Sequence, residues 1–165
     1  MVNQQLLSPQ SIVVVGGSDQ VQKPGGKILS NLLAGGFAHS IYVVNPNAAS
    51  VQGIACHARV DDLPGQVDLA ILAIPAKFCV EAVEKLAYQK GTRAFIIISA
   101  GFGEESHEGA LIEQRIVAVV NEVKGALIGP NCIGMMTPEH HSVFTEPIPP
   151  LMPGGIDFVT GSGAT

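Results

Sequence analysis

The sequence predicts a doubly wound α/β domain built on a parallel sheet, and three observations carry that prediction. Apolar runs alternate with helical patterns at near-regular intervals along the chain. Apolar residues make up 47% of the composition and aromatics only 5%, the texture of buried strands lying under closely packed helices. The 165 residues are enough to enclose one sizeable core.

The first strand is expected at 11–16, where Ile12, Val13, Val14 and Val15 run directly into Gly16-Gly17-Ser18. A helix follows at about 25–35. A glycine turn in this position lets oxygen atoms approach the backbone, and the helix behind it presents a partial positive charge, so the unit suits a phosphate-bearing ligand. The second strand, 41–44 (IYVV), opens into Asn45-Pro46-Asn47. The crossover that follows carries Asn, Pro and Gly and is expected to be mostly loop, with a short helical turn around Val60–Leu63. The third strand, 68–74 (DLAILAI), ends at Pro75 and leads into a helix at 77–90. A fourth, 94–99 (AFIIIS), opens into Ser99–Gly103 and a helix at 106–123, and a fifth lies at 125–128 (GALI).

Crossovers of this length imply parallel pairing with both faces covered, and their right-handedness favours the strand order 3-2-1-4-5. The winding then reverses between strands one and four. Ligands of open α/β sheets bind at the carboxyl ends of the strands beside such a reversal. The candidate site therefore comprises Gly16–Gln20 and Ser99–Gly103, flanked by Asn45-Pro46-Asn47 and Ile74-Pro75-Ala76.

Composition removes several classes of function. A net charge of −5 with nine scattered Lys and Arg provides no basic stripe for a nucleic acid. No apolar run approaches the roughly 20 residues of a membrane span, and the N-terminal MVNQQLLSPQ lacks the regions of a signal peptide. A cytoplasmic protein without membrane attachment is expected. Cys56, Cys79 and Cys132 form no CxxC pair and read as reduced thiols rather than disulfides or a zinc site. His140-His141 with Glu139 and Glu146 fall in an extended, Pro-rich stretch that reads as a solvated connector, and no metal site is expected there. Glu104 and Glu105 are expected to complement the N-terminus of the helix that follows.

A dinucleotide is the first ligand to test. Its fingerprint requires G-x-G-x-x-G and an acidic residue at the end of the second strand. Here the turn reads Gly16-Gly17-Ser18-Asp19-Gln20, and the second strand ends in Asn45-Pro46. The ATP-binding G-x-x-x-x-G-K-[ST] is also missing.

The stretches VVVGGSDQ, IYVVNPN, VDLAILAIPAKFC, AFIIISAGFGE and LIGPNCIG, in that order, resemble the CoA-binding domain of ADP-forming (NDP-forming) acyl-CoA synthetases and of the related succinyl-CoA synthetase α subunit. The resemblance runs over nearly the whole chain and implies a Rossmann-like fold with coenzyme A as the ligand. By position, it implies that Gly16, Gly17, Ser18, Asp19 and Gln20 meet the nucleotide part, walled by Asn45, Pro46, Asn47, Ile74 and Pro75. Ile98, Ser99, Ala100 and Gly101 would contact the pantetheine arm, with Asn131 and Cys132 near the thiol end. Members often carry a lysine just after the Asn-Pro. Here Asn47-Ala48-Ala49 follow, which leaves the phosphates to backbone amides or to Lys23 and Lys27.

The resemblance further implies a division into a CoA-binding domain at 1–134 and, at 135–165, a connector plus the first strand of a second ligase domain. GGIDFVTGSGAT would open that second domain. The phosphorylated histidine of the resembled enzymes would lie beyond Thr165, so no catalytic residue is assigned in this chain, and the chain alone is expected to be inactive as a ligase. ATP, ADP and Mg would enter only through domains it does not contain, including an ATP-grasp fold, fused or in a partner subunit. The complete enzyme would interconvert acyl-CoA, ADP and phosphate with acid, CoA and ATP. The alternative is a stand-alone CoA-binding regulatory or sensor module without ligase chemistry.

Overall fold

Val13 and Val15 face one side of a central sheet and Ile12 and Val14 the other, and all four are buried. The computed structural model describes residues 2–148. Within them Ser11–Val15 (β1) pairs in parallel with Ser40–Val44 (β2) on one side and Leu69–Leu72 (β5) on the other. Ala94–Ile97 (β6) and Ala126–Ile128 (β7) extend the parallel sheet beyond β5. Pro24–Ala34 (α2) covers the Ile12 face through Ile28, Leu29 and Leu32. Cys79–Gln89 (α3) and His107–Glu122 (α4) cover the other face through Val83, Leu86, Ile116 and Val119. Strands buried on both faces need no polar alternation, which is why β1, β5 and β6 run as nearly continuous apolar residues.

The expected α/β architecture is present, with one parallel strand more than expected. Ile54–His57 (β4), in the segment expected to be loop, pairs in parallel with β2, and Ser50–Val51 (β3) pairs with it antiparallel. The two-residue turn between them, Gln52-Gly53, has positive φ at both positions (48° and 82°), the geometry that matches a hairpin's twist. The full order is β3-β4-β2-β1-β5-β6-β7. This corrects the order 3-2-1-4-5. The outer place beside β2 is taken by β4, and the strand expected there, 68–74, lies on the other side of β1 as β5. The physical reason is brevity: β4 meets β2 at only Val43↔Cys56 and Val44↔His57, and a pairing that short leaves no apolar run in the sequence. Consequently the winding reverses between β1 and β5, which brings Ile74-Pro75 directly to the reversal.

Helices α2, α3 and α4 fall where expected; a short helix over Gln4–Leu7 is additional to those expected, and a 3-10 turn, Ala76–Phe78, precedes α3. Another such turn spans Val60–Asp62. Within the described residues, the stretch around His140-His141 expected to be a solvated connector is instead packed on the domain. Gly134–Met136 (β8) and His141–Val143 (β9) pair antiparallel, so position 134, expected to end the first domain, falls inside β8. The hairpin packs on α2, where Asn31 Nδ2 donates to the carbonyls of Val143 (2.7 Å) and Thr145 (3.2 Å). His140 and Ser142 are buried, and His140 Nε2 lies 2.9 Å from the carbonyl of Leu6 in Gln4–Leu7 (α1). The stretch GGIDFVTGSGAT lies outside the described residues.

Candidate functional site

The loops at the carboxyl ends of β1, β2, β4 and β5 enclose an open cavity of about 740 Å³. Its floor is set by Gly16. This residue has φ +90°, and a Cβ on its backbone would lie only 2.5 Å from the Ala73 carbonyl oxygen, so no side chain is tolerated and β1 and β5 leave the sheet side by side. Gly25, in the first turn of α2, lies against the Gly16 carbonyl, where a Cβ would collide. The turn thus rests directly on the helix N-terminus, the arrangement that favours an anion.

Of the sequence-predicted residues, Gly16, Gly17, Ser18, Asn45, Pro46, Asn47, Ile74 and Pro75 all line this cavity. Asn45 braces it. Its Nδ2 donates to the Gly17 carbonyl at 2.9 Å and its Oδ1 accepts from the Asn47 N–H at 2.9 Å, tying the end of β2 to the glycine turn. An Asp here would have no N–H to donate to Gly17, which gives the missing acidic residue a structural reason.

The other predicted residues do not line the cavity. Asp19 turns its carboxylate to the backbone N–H of Gln52 (2.7 Å), and the Gln20 N–H donates to Ser18 Oγ (3.1 Å). Ile98 is buried, and Ser99 Oγ donates to the Ile74 carbonyl at 2.6 Å, which joins the end of β6 to the cavity wall. Ala100 and Gly101 continue this loop, where the Gly101 N–H donates to Glu104 Oε1 at 2.9 Å. Backbone amides around Glu104, its own first, hold that carboxyl below the usual range. Glu104 therefore serves its own loop rather than the helix; Ser106 caps α4, accepting from the Gly109 N–H at 3.0 Å. The Asn131 N–H donates to the Ser99 carbonyl (3.0 Å), and Cys132 Sγ lies 3.3 Å from the Ile97 carbonyl. Residues 98–101 and 131–132 thus form one connected group behind the cavity, linked to it through Ser99 and Ile74.

Side chains that sequence reasoning did not select also matter here. Gln52 Nε2 donates to the carbonyls of Ser18 and Gly26, both at 2.8 Å, and clamps the glycine turn from the β3–β4 hairpin. The only available signal is Gly53, which supplies a positive φ to a two-residue turn, because Gln-Gly is not among the dipeptides that mark such hairpins. Phe78, half exposed, and the cations Arg59 and Lys85 also line the cavity, as does Lys23, which the sequence offers as a phosphate partner. Lys85 is engaged by Asp61 and Glu81, each at 2.9 Å. Its hydrogen bond holds the Asp61 carboxyl low, and both carboxylates hold the Lys85 ammonium high. Lys27, expected as a possible phosphate partner, does not line the cavity and instead pairs with Glu146 at 2.7 Å. Cys79 lies beneath the wall with its thiol toward the carbonyls of Ile74 and Pro75, and burial pushes its pKa up to about 12.

The chain is 36% identical to the acetate–CoA ligase [ADP-forming] II of Archaeoglobus fulgidus, over 96% of this chain and 24% of that protein. It is 35% identical to the subunit alpha of acetate–CoA ligase [ADP-forming] II from Pyrococcus furiosus, over 95% of this chain and 34% of that subunit. The chain thus spans between a quarter and a third of the length of these relatives. Among solved structures, the dinucleotide forming acetyl-coenzyme A synthetase 1 of Ca. Korarchaeum cryptofilum, in complex with phosphate and ADP, superposes with a TM-score of 0.79 at 28% identity, covering 87% of this chain and 31% of that one. The family model described as CoA binding domain matches residues 10–138, and by this match the chain belongs to that family.

Proposed function

We propose that the cavity at the carboxyl ends of β1, β2, β4 and β5 binds the nucleotide part of coenzyme A, and that the complete protein is an ADP-forming acyl-CoA ligase of the cytoplasm. The observation that carries the reading is the convergence of Gly16–Ser18, Asn45–Asn47 and Ile74-Pro75 on one cavity at the topological reversal of a CoA binding domain. In this reading the amides of the glycine turn and the α2 N-terminus face the pyrophosphate. Pro46, Ile74 and Pro75 wall the adenosine, and the pantetheine arm runs toward Ser99–Gly101 and Asn131-Cys132. That group becomes reachable where the Ile74 wall meets Ser99.

This chain's contribution to the chemistry is binding and orientation. Phosphate attacks the acyl carbon of acyl-CoA, the C–S bond breaks, and acyl phosphate and CoA thiol result. Acyl phosphate then passes its phosphoryl group to a histidine, releasing the acid, and the phosphohistidine phosphorylates ADP. The histidine and an ATP-grasp fold belong to further domains or a partner subunit. Splitting the step this way keeps the thioester's free energy in phosphoryl bonds instead of losing it to water.

Titration calorimetry of the chain with CoA and with NAD tests the binding reading. Binding of CoA with no measurable NAD heat is expected, and the reverse result refutes it. For the complete protein, formation of ATP from acetyl-CoA, ADP and phosphate, and its absence with the 165-residue chain alone, is the corresponding expectation.

A further inference from the structure

A polyanionic ligand approaching a chain of net charge −5 requires local cations at its site. The cavity wall offers three: Lys23, Arg59 and Lys85. Lys85 is neutralised by Asp61 and Glu81. Lys23 stands at the N-terminus of α2, beside the glycine turn, and serves that end. Arg59 stands at the opposite end and has one ion pair among the described residues, a loose one to Asp62 at 3.8 Å with its side chain 70% exposed.

The position of Arg59 follows from strand pairing. In the parallel register Val44 lies opposite His57, and the Asn45 N–H donates to the His57 carbonyl at 3.0 Å. Asn47 is two residues beyond Asn45, and Arg59 is two residues beyond His57. They therefore emerge from neighbouring strands at the same edge, where adjacent strands are about 4.8 Å apart. Asn47 carries no charge. Arg59 brings a cation to that edge from the strand next door. In dinucleotide-binding sheets the end of the second strand faces the adenosine ribose, and an arginine nearby takes a phosphate carried on that ribose.

We propose that Arg59 recognises the 3′-phosphate of the CoA ribose and so sets the preference for CoA over 3′-dephospho-CoA, an inference that rests on the reading of this cavity as the CoA site. A guanidinium presents paired N–H donors that match two phosphate oxygens, whereas the loop at Asn47 offers only neutral groups. The loose Asp62 contact leaves Arg59 available to turn inward.

The test is calorimetric titration of the 165-residue chain and its Arg59→Ala and Arg59→Lys variants with CoA and with 3′-dephospho-CoA. Arg59→Ala is expected to weaken CoA about tenfold and 3′-dephospho-CoA less than about twofold, as for loss of one charge-assisted contact. Arg59→Lys should fall between, retaining charge but not the paired donors. The preference of the unaltered chain should shrink as salt rises. If the unaltered chain binds CoA while Arg59→Ala weakens both ligands equally, or neither, the role of Arg59 is refuted and the CoA reading stands. If the unaltered chain binds neither ligand, the CoA reading itself fails. Thermal melts of the three proteins should coincide, since the link from residue 59 to Asp62 Oδ2 uses the backbone N–H.

Discussion

Gln52 holds Ser18 in place: the Gln52 side-chain amide donates to the Ser18 carbonyl at 2.8 Å across a separation of 34 residues, and to the Gly26 carbonyl at the same distance. The glycine turn is therefore braced by a hairpin that is remote in sequence. Gln52→Ala should lower stability by about 1 kcal/mol and weaken CoA, because two carbonyls lose a donor and the turn loses its brace. Gln52→Glu should be worse, since it sets carboxylate oxygens against those carbonyls. Urea melts and CoA titration check both; unchanged affinity in Gln52→Ala would mean that the brace does not shape the site.

Asn47 offers a gain of function. Asn47→Lys places an ammonium on an exposed loop of the cavity and should strengthen CoA by about 1 kcal/mol, the scale of an exposed charge-assisted contact. The gain should fade as salt approaches the range where the screening length is about 10 Å. Titration at two salt concentrations reads it, and equal affinity of the variant and the unaltered chain at low salt would place residue 47 away from the phosphates.

His140 makes stability depend on pH. Its Nε2 faces a carbonyl and so must donate, which leaves Nδ1 to accept the Ser142 hydroxyl at 2.7 Å, the neutral ring. Burial, with the nearby charge of His141, pulls the imidazole below its ordinary value, against the opposing effects of the Leu6 carbonyl and Glu139. The unfolded chain therefore takes up this proton first. The His140 contribution is complete above the unfolded value of about 6.5 and is lost as pH falls from there through the lower folded value. His140→Asn should be less stable at pH 7.5 and should show a flatter fall between pH 7.5 and 5, read from urea midpoints. Asp61 and Glu104, whose carboxyls are held low, contribute their losses only at more acid pH. Parallel slopes for the two proteins would refute the assignment.

The thiols should be unreactive near neutrality. Burial raises all three, with the charge of Asp19 adding to the effect at Cys56, and Cys79 reaches about 12. Little thiolate then exists at pH 8, so iodoacetamide should modify the folded chain slowly, with Cys79 last, as peptide mass spectrometry would show. Cys132→Ala should keep CoA affinity within about twofold, since a partly buried, protonated thiol meets its surroundings as a small apolar group. Rapid alkylation of Cys132 near neutrality would instead reveal a thiolate that burial does not suppress.

Much of this protein is determined by sequence alone. The continuous apolar runs of β1, β5 and β6 record burial on both faces, and the Gly16-Gly17 turn, Asn45-Pro46-Asn47 and Ile74-Pro75 mark the strand ends that line the cavity. These are local signals, since each residue's pattern reflects the face or turn it occupies. What tertiary structure decided are pairings between distant segments. The two-residue registration of β4 on β2 inserts a strand, moves the reversal to β5 and brings Arg59 beside Asn47. Lys27 is drawn to Glu146, Gln52 to the glycine turn, and His140 to the Leu6 carbonyl. A hydrogen bond spanning tens of residues imposes no periodicity on either partner's neighbours, so nothing in the local pattern announces it.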